Sequence, residues 1–239
     1  MSPKSQKSFF SNLKTSLSVP VFTVDLKRGA PGSYDFGKIN STKHTGPITY
    51  VPVRTGKSLW EFTSNGYAVR SNTFQNRSIN TIADTGATVL FLPDVIVSAS
   101  YAKVPGASNN SAEGGYTFKC SAELSSLTLG IGSYKAIVPG SYLKFTPIDR
   151  RGINCFGALQ ANIDADFSVF GDVFLKSQFV VFNAVSPPRI GFAPKLTGPA
   201  NELIHPSDTP KTFAFLISCQ SESRRLISPI IQYIMSLRR

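Results

Sequence analysis

Along most of the chain apolar residues fall in short runs or alternate with polar ones, and Gly, Pro, Ser and Asn break the runs before a helical repeat can build up. This pattern predicts strands. The first apolar positions, Phe9, Phe10, Leu13 and Leu17, lie on one side of a short amphipathic turn or helix over residues 9–17. Strands are expected at residues 19–26, with Pro20 at the start or edge, and at 33–39, where Tyr34 and Phe36 share a face. Residues 48–53 and 58–64 read as the arms of a hairpin, and Asn65-Gly66 as a tight turn into a strand at 67–70. Trp60, the single tryptophan, is expected to pack in the core.

One helix is expected, over residues 94–102, opened by Pro93-Asp94 and carrying Val95, Ile96, Ala99 and Ala102 as its apolar positions. Residues 104–115 read as a polar loop. Short strands follow at 116–120, 127–131, 134–138, 142–145 and 155–160. An apolar strand at 167–170 ends at Gly171-Asp172, followed by a single helical turn at 173–177 and a strand at 178–183. Val, Ile, Thr, Phe and Tyr dominate these runs, so the fold class is all-β.

The stretch 81–92 carries the candidate chemistry. Ile82 and Ala83 end one buried strand, Gly86 permits a turn that a side chain would block, and residues 89–92 form the next buried strand. Asp84 is thereby placed at a loop tip between two core strands. An ionised carboxylate there is costly unless it is hydrogen-bonded or shares a proton with a partner, so its presence calls for a chemical role.

With 239 residues, 41% of them hydrophobic, the chain can bury a substantial core as one large or two small domains. Its formal charge of +11 comes from basic residues scattered singly, with no Lys/Arg stripe and no basic motif interleaved with aromatics. A nucleic-acid partner is therefore not expected. His44 and His205 are far apart and near no cysteine in sequence, which argues against a metal; both read as surface-loop residues. Three cysteines are an odd count for a disulfide framework.

Several stretches resemble the pepsin-like aspartic proteinases, in particular the fungal secreted branch of the penicillopepsin and aspergillopepsin type. Besides the Asp84-Thr85-Gly86 loop these are Tyr34-Asp35-Phe36-Gly37, Ile48-Thr49-Tyr50, Trp60-Glu61-Phe62, Gly114-Gly115-Tyr116-Thr117-Phe118-Lys119-Cys120, the run from Phe167 through Gly171-Asp172 to Gln178, and Gly191-Phe192-Ala193-Pro194. They occur in one order from about Phe9 to Lys195. The resemblance implies the C-terminal lobe of a two-lobed acid protease, with residues 1–18 a remnant of the link between lobes and 19–195 the lobe.

By the same resemblance Asp84 is the lobe's catalytic aspartate, Thr85 reaches across to the opposite loop, Gly86 offers its carbonyl to a peptide substrate, Thr88 lines the cleft and Ile82 walls a subsite. Gly171 supports the loop from behind. Ala87 departs from the usual Thr or Ser, whose hydroxyl bonds to the catalytic carboxylate. Cys120 and Cys155 match the lobe's disulfide, which leaves Cys219 unpaired. No cofactor is implied. The partners implied are a peptide or protein substrate and the missing N-terminal lobe, or else a second copy of the chain in a homodimeric protease. A non-catalytic lobe that binds peptides or a partner is the alternative outside catalysis.

The chemistry of the family takes two carboxylates sharing a proton, one as general base on water and the other as proton donor. This sequence holds one Asp-Thr-Gly loop. Asp35, Asp94, Asp164, Asp166 and Asp172 stand outside any Thr/Ser-Gly context, and Tyr34, Tyr101 and Tyr116 read as core or surface tyrosines rather than a flap residue. The isolated chain is therefore expected to be weak or inactive.

The family is secreted, and Asn40, Asn76 and Asn109 stand in acceptor contexts for glycans. No apolar core with a small-residue cleavage site follows the basic start Met1 to Ser8, so the expectation is a chain lacking its natural front end. Residues 196–239 have no counterpart in the family and read as a disordered basic tail or foreign sequence. Its apolar run is too short and interrupted to span a bilayer, and an interfacial helix is the weaker reading.

Overall fold

A computed structural model describes residues 8–196, apart from 55, 57, 58, 71, 72, 163 and 164. The tail beyond Leu196, with His205 and Cys219, and Asp164 lie outside the described residues. In chain order the elements are α1 (Phe9–Leu13), β1 (Val21–Asp25), β2 (Ser33–Phe36), β3 (Thr49–Pro52), β4 (Glu61–Val69), β5 (Gln75–Ala83), β6 (Leu90–Leu92) and α2 (Asp94–Tyr101). They continue with β7 (Ser108–Asn110), β8 (Gly115–Lys119), β9 (Leu127–Ile131), β10 (Tyr134–Val138), β11 (Lys144–Pro147), β12 (Asn154–Gly157) and β13 (Leu159–Ala161). Last come β14 (Ser168–Phe170), α3 (Asp172–Leu175), β15 (Phe179–Asn183) and β16 (Arg189–Ala193).

The strands form three sheets, ordered β2-β1-β15-β16-β3, β10-β9-β4-β5-β14-β6-β13 and β11-β12-β8-β7. Strand β15 is buried along its whole length between β1 and β16, which accounts for its unbroken apolar sequence before Asn183. The first two sheets are joined by four fully buried phenylalanines: Phe62 on β4, Phe170 on β14, Phe174 on α3 and Phe192 on β16. Their ring centroids are 4.5 Å apart for Phe170 and Phe174, 5.2 Å for Phe62 and Phe192, and 5.6 Å for Phe62 and Phe170. Truncating any one of them to Ala is a change of the kind that costs about 3–5 kcal/mol. A second aromatic group stacks Phe22 on Phe182 at 4.4 Å, with Trp60 edge-on to Phe182 at 5.1 Å and Phe10 of α1 against Phe22 at 4.7 Å. Phe9, expected on the same side, is 70% exposed and touches only the rim of this group through Phe36.

The all-β class and most strand positions agree with the sequence pattern, and the differences have local causes. The expected hairpin of residues 48–53 and 58–64 is not a ladder, because β3 pairs with β16 while β4 enters the other sheet. The chain crosses between sheets there, fastened by Arg54 N donating to Glu61 O and by the Arg54–Glu61 ion pair at 2.7 Å. Asn65-Gly66 is no turn. It is a bulge in the straight strand β4, where Gly66 has φ 154° and a Cβ would lie 2.2 Å from Gln75 O. Helix α2 buries Ile96, Val97 and Tyr101 and turns Val95, Ala99 and Ala102 outward, so its inner face is set by neighbours that the apolar count alone did not show. The supposed loop 104–115 contains β7, and the strand expected from Tyr142 starts two residues later after a 3-10 turn.

Cys120 and Cys155 are joined by a disulfide across 35 residues of chain, which stabilises the fold by about 4 kcal/mol on a loop-entropy estimate. Within that loop the carboxylate of Asp149 accepts the backbone N–H groups of Arg151 and Ile153, both at 3.0 Å, and of Asn154 at 2.6 Å. The bonds from Ile153 and Asn154 hold its pKa below the ordinary carboxylate value. A depressed folded pKa contributes stability above the unfolded carboxylate range and loses it as pH falls through the folded value, so the clasp persists into acid below about pH 4. Asp149→Asn is expected to speed tryptic cleavage after Arg150 or Arg151 by about 10-fold, since charge-assisted bonds that close the loop are lost. Because the nick falls inside the disulfide loop, the two pieces should part on gels only after reduction; equal cleavage of both proteins would show that the clasp does not hold the loop.

Candidate active site

Strand β5 ends at Ala83 and β6 begins at Leu90, and the two do not pair with each other. Strand β14 lies between them, parallel to β5 with Phe170 opposite Ala83, and antiparallel to β6 with Phe170 opposite Leu90. The loop carrying Asp84 therefore arches over the end of β14. Asp84 N donates to Phe170 O at 3.2 Å, Asp172 N to Ala87 O at 2.7 Å and Val173 N to Thr88 O at 3.1 Å, so both legs of the arch are bonded to what lies beneath. Thr81 Oγ1 adds a bond to Ser168 O at 3.1 Å.

Gly171 sits at the centre of this contact. Its φ of −82° is open to any residue, so the conformation does not demand glycine. Space does: a Cβ there would lie 2.3 Å from Val89 O and 2.6 Å from Ala87 O, both backbone atoms. The loop rests directly on the chain behind it.

Asp84 is half-buried, and its Oδ1 accepts the Gly86 N–H at 2.8 Å. A Cβ on Gly86 would stand 3.2 Å from that same oxygen. Thr85, Gly86 and Thr88 are exposed, and neither threonine hydroxyl is hydrogen-bonded among the described residues. Ala87 is buried with Ile82 and Val169 in a small cluster bordered by Phe91 and Phe167. Ile82, expected to wall a subsite, is 94% covered and packs with Ala87 and Val169 in this cluster, apart from the main core that Ile79 and Ala83 of β5 join.

The other aspartates have local partners. Asp25 is buried against Lys195 at 3.2 Å, Asp35 pairs with Lys43, Asp94 accepts the Ser98 hydroxyl, and Asp172 pairs with Lys176 four residues on. Among the described residues no cation is paired with Asp84. Tyr101 is buried with its hydroxyl donating to Leu159 O at 2.9 Å, Tyr116 stacks on it at 4.7 Å, and Tyr34 is exposed. His44 stacks on Phe179. The contributions of Thr81 and of the Ala87 and Val89 carbonyls were not read from the sequence, since backbone acceptors leave no residue-type signal.

An Asp-Thr-Gly arch seated on a third strand, in an all-β chain, defines the class. The chain belongs to the eukaryotic aspartyl protease family, whose model matches residues 1–195, and its fold is the all-β pepsin-like one. It is 51% identical to endothiapepsin of Cryphonectria parasitica over 82% of this chain and 46% of that protein. Over 81% of the chain it is 51% identical to penicillopepsin-3 of Penicillium janthinellum, of which it covers 49%. Aspergillopepsin-1 of Aspergillus fumigatus shares 46% identity over 82% of this chain and 49% of its own length. The chain thus spans about half the length of the relatives it matches.

Gly171→Ala is expected to destabilise the protein by about 1–3 kcal/mol or more, because the added Cβ would press on two backbone carbonyls, and Ala87 O cannot yield without breaking its bond from Asp172 N. A fall in the urea midpoint with unchanged slope would measure it, and an unchanged midpoint would show that the arch is not seated on Gly171.

Proposed function

We propose that residues 19–195 are the C-terminal lobe of a pepsin-like aspartic endopeptidase and that Asp84 is one carboxylate of its catalytic dyad. The observation that carries this reading is the geometry of the arch. Asp84 stands at its tip, positioned by the Gly86 N–H and backed by β14 and Gly171, and among the described residues no cation is paired with it. In the proposed reaction the dyad shares one proton: one aspartate takes a proton from the attacking water while the other donates to the carbonyl oxygen of the scissile peptide. Asp84 supplies one of these roles, and the second carboxylate comes from a facing Asp-Thr/Ser-Gly loop on an N-terminal lobe. Thr85, exposed and unbonded, is the residue that reaches that loop. Gly86 and Thr88 face the substrate, and Ile82 contributes an apolar wall to a subsite. The disulfide and the family resemblance support a secreted location.

The test is hydrolysis of a peptide with apolar residues flanking the scissile bond, from acidic to neutral pH. The 239-residue chain alone is expected to show no pepstatin-sensitive turnover. Joined to an N-terminal lobe it should turn over, and Asp84→Asn should then reduce kcat by about 10²–10⁴-fold. Pepstatin-sensitive turnover by the isolated chain would favour the homodimer, and a joined enzyme indifferent to Asp84→Asn would remove Asp84 from catalysis.

Ala87 gives a second test. A hydroxyl at this position donating to Asp84 stabilises the charged carboxylate and lowers its pKa, so Ala87→Ser in the joined enzyme is expected to move the acidic limb of the pH profile of kcat/KM downward. A limb that stays in place would mean position 87 does not reach the carboxylate.

A further inference from the structure

Asn76 and Asn109 play no part in the catalytic reading. Each opens a glycan-acceptor triplet, Asn76-Arg77-Ser78 and Asn109-Asn110-Ser111. A triplet alone is a weak signal, and the placement of these two strengthens it. Both residues are exposed, and neither side chain is hydrogen-bonded among the described residues. Asn109 is on β7, the outer strand of the four-stranded sheet. Asn76 is on the portion of β5 that runs past β14, whose pairing covers only Thr81, Ile82 and Ala83. At both places the strand has a strand partner on one side and, among the described residues, none on the other, and the asparagine itself is exposed. Asn40 differs, being half-buried with its side-chain oxygen accepting from Thr42 N at 3.0 Å and Thr42 Oγ1 at 2.8 Å.

Compartment is the third consideration. The Cys120–Cys155 disulfide forms in an oxidising lumen, where N-linked glycans are also transferred. Position along β5 matters as well. Asn76 stands at the end of the strand away from Asp84, roughly 25 Å off at about 3.3 Å per residue, so a glycan there leaves the arch uncovered. We propose that Asn76 and Asn109 are N-glycan attachment sites. The inference does not rest on catalysis by Asp84.

The experiment directs the full 239-residue chain into the lumen of a yeast host behind a cleavable signal sequence, and pools retained with secreted protein so that failure of export does not hide the result. Release with peptide N-glycosidase in heavy-oxygen water is expected to leave labelled Asp at positions 76 and 109, and Asn76→Gln and Asn109→Gln should each remove one mobility step. Ser78→Ala and Ser111→Ala should reproduce those losses without touching the asparagines. Unlabelled Asn at either position, in protein whose Cys120–Cys155 bond has formed, overturns the assignment there, as does a mobility step that survives loss of the serine hydroxyl.

Discussion

The contact between Gly171 and the backbone of residues 87–89 is the constraint from which the rest of the lobe follows. Two stretches of main chain touch with no side chain between them. Such closeness holds only if both are fixed from outside, and the four phenylalanines around Phe170 and Phe174 do this by tying β14 and α3 to both large sheets. The hydrogen bonds of Asp84 N, Asp172 N and Val173 N then set the arch in register with the core. Asp84 is thus carried by the packing beneath the arch, with the Gly86 N–H adding a bond from within the loop.

The site is rigid below and open above. Ala87 and Ile82 are covered, while Thr85, Gly86 and Thr88 are exposed, and neither threonine hydroxyl is hydrogen-bonded among the described residues. In this asymmetry the packing beneath the arch fixes the position of Asp84, and the exposed residues beside it are left at the surface. The remaining aspartates show the contrast: Asp25, Asp35 and Asp172 each have a lysine, and Asp149 is enclosed by its own loop's N–H groups.

Much of this was legible in the sequence because strands covered on both faces read as apolar runs, as β15 does before Asn183, and because the Asp84 loop is flanked by Ile82-Ala83 and by the apolar run of β6. What escaped was long-range. Nothing in residues 48–64 says that β3 and β4 belong to different sheets, since each is a good strand and only the partner, β16 or β5, decides. Asn65-Gly66 has the composition of a turn, and its role as a bulge depends on Gln75 O across the ladder. The cluster of Ile82 with Ala87 likewise depends on Val169, which is distant in sequence.

The interleaving of β14 between β5 and β6 also orders events in time. Thr81 and Ser168, bonded across the join, are 87 residues apart in the chain, so the arch has nothing to rest on until nearly the whole lobe has been synthesised. Pairings of such span form late, after the local hairpins of β9 with β10 and β4 with β5. During synthesis the contacts beneath Asp84 cannot exist until Phe170 and Gly171 have been added. Asp84 is thereby among the last parts of the fold to gain its support, and a chain released before that point carries the motif without the geometry.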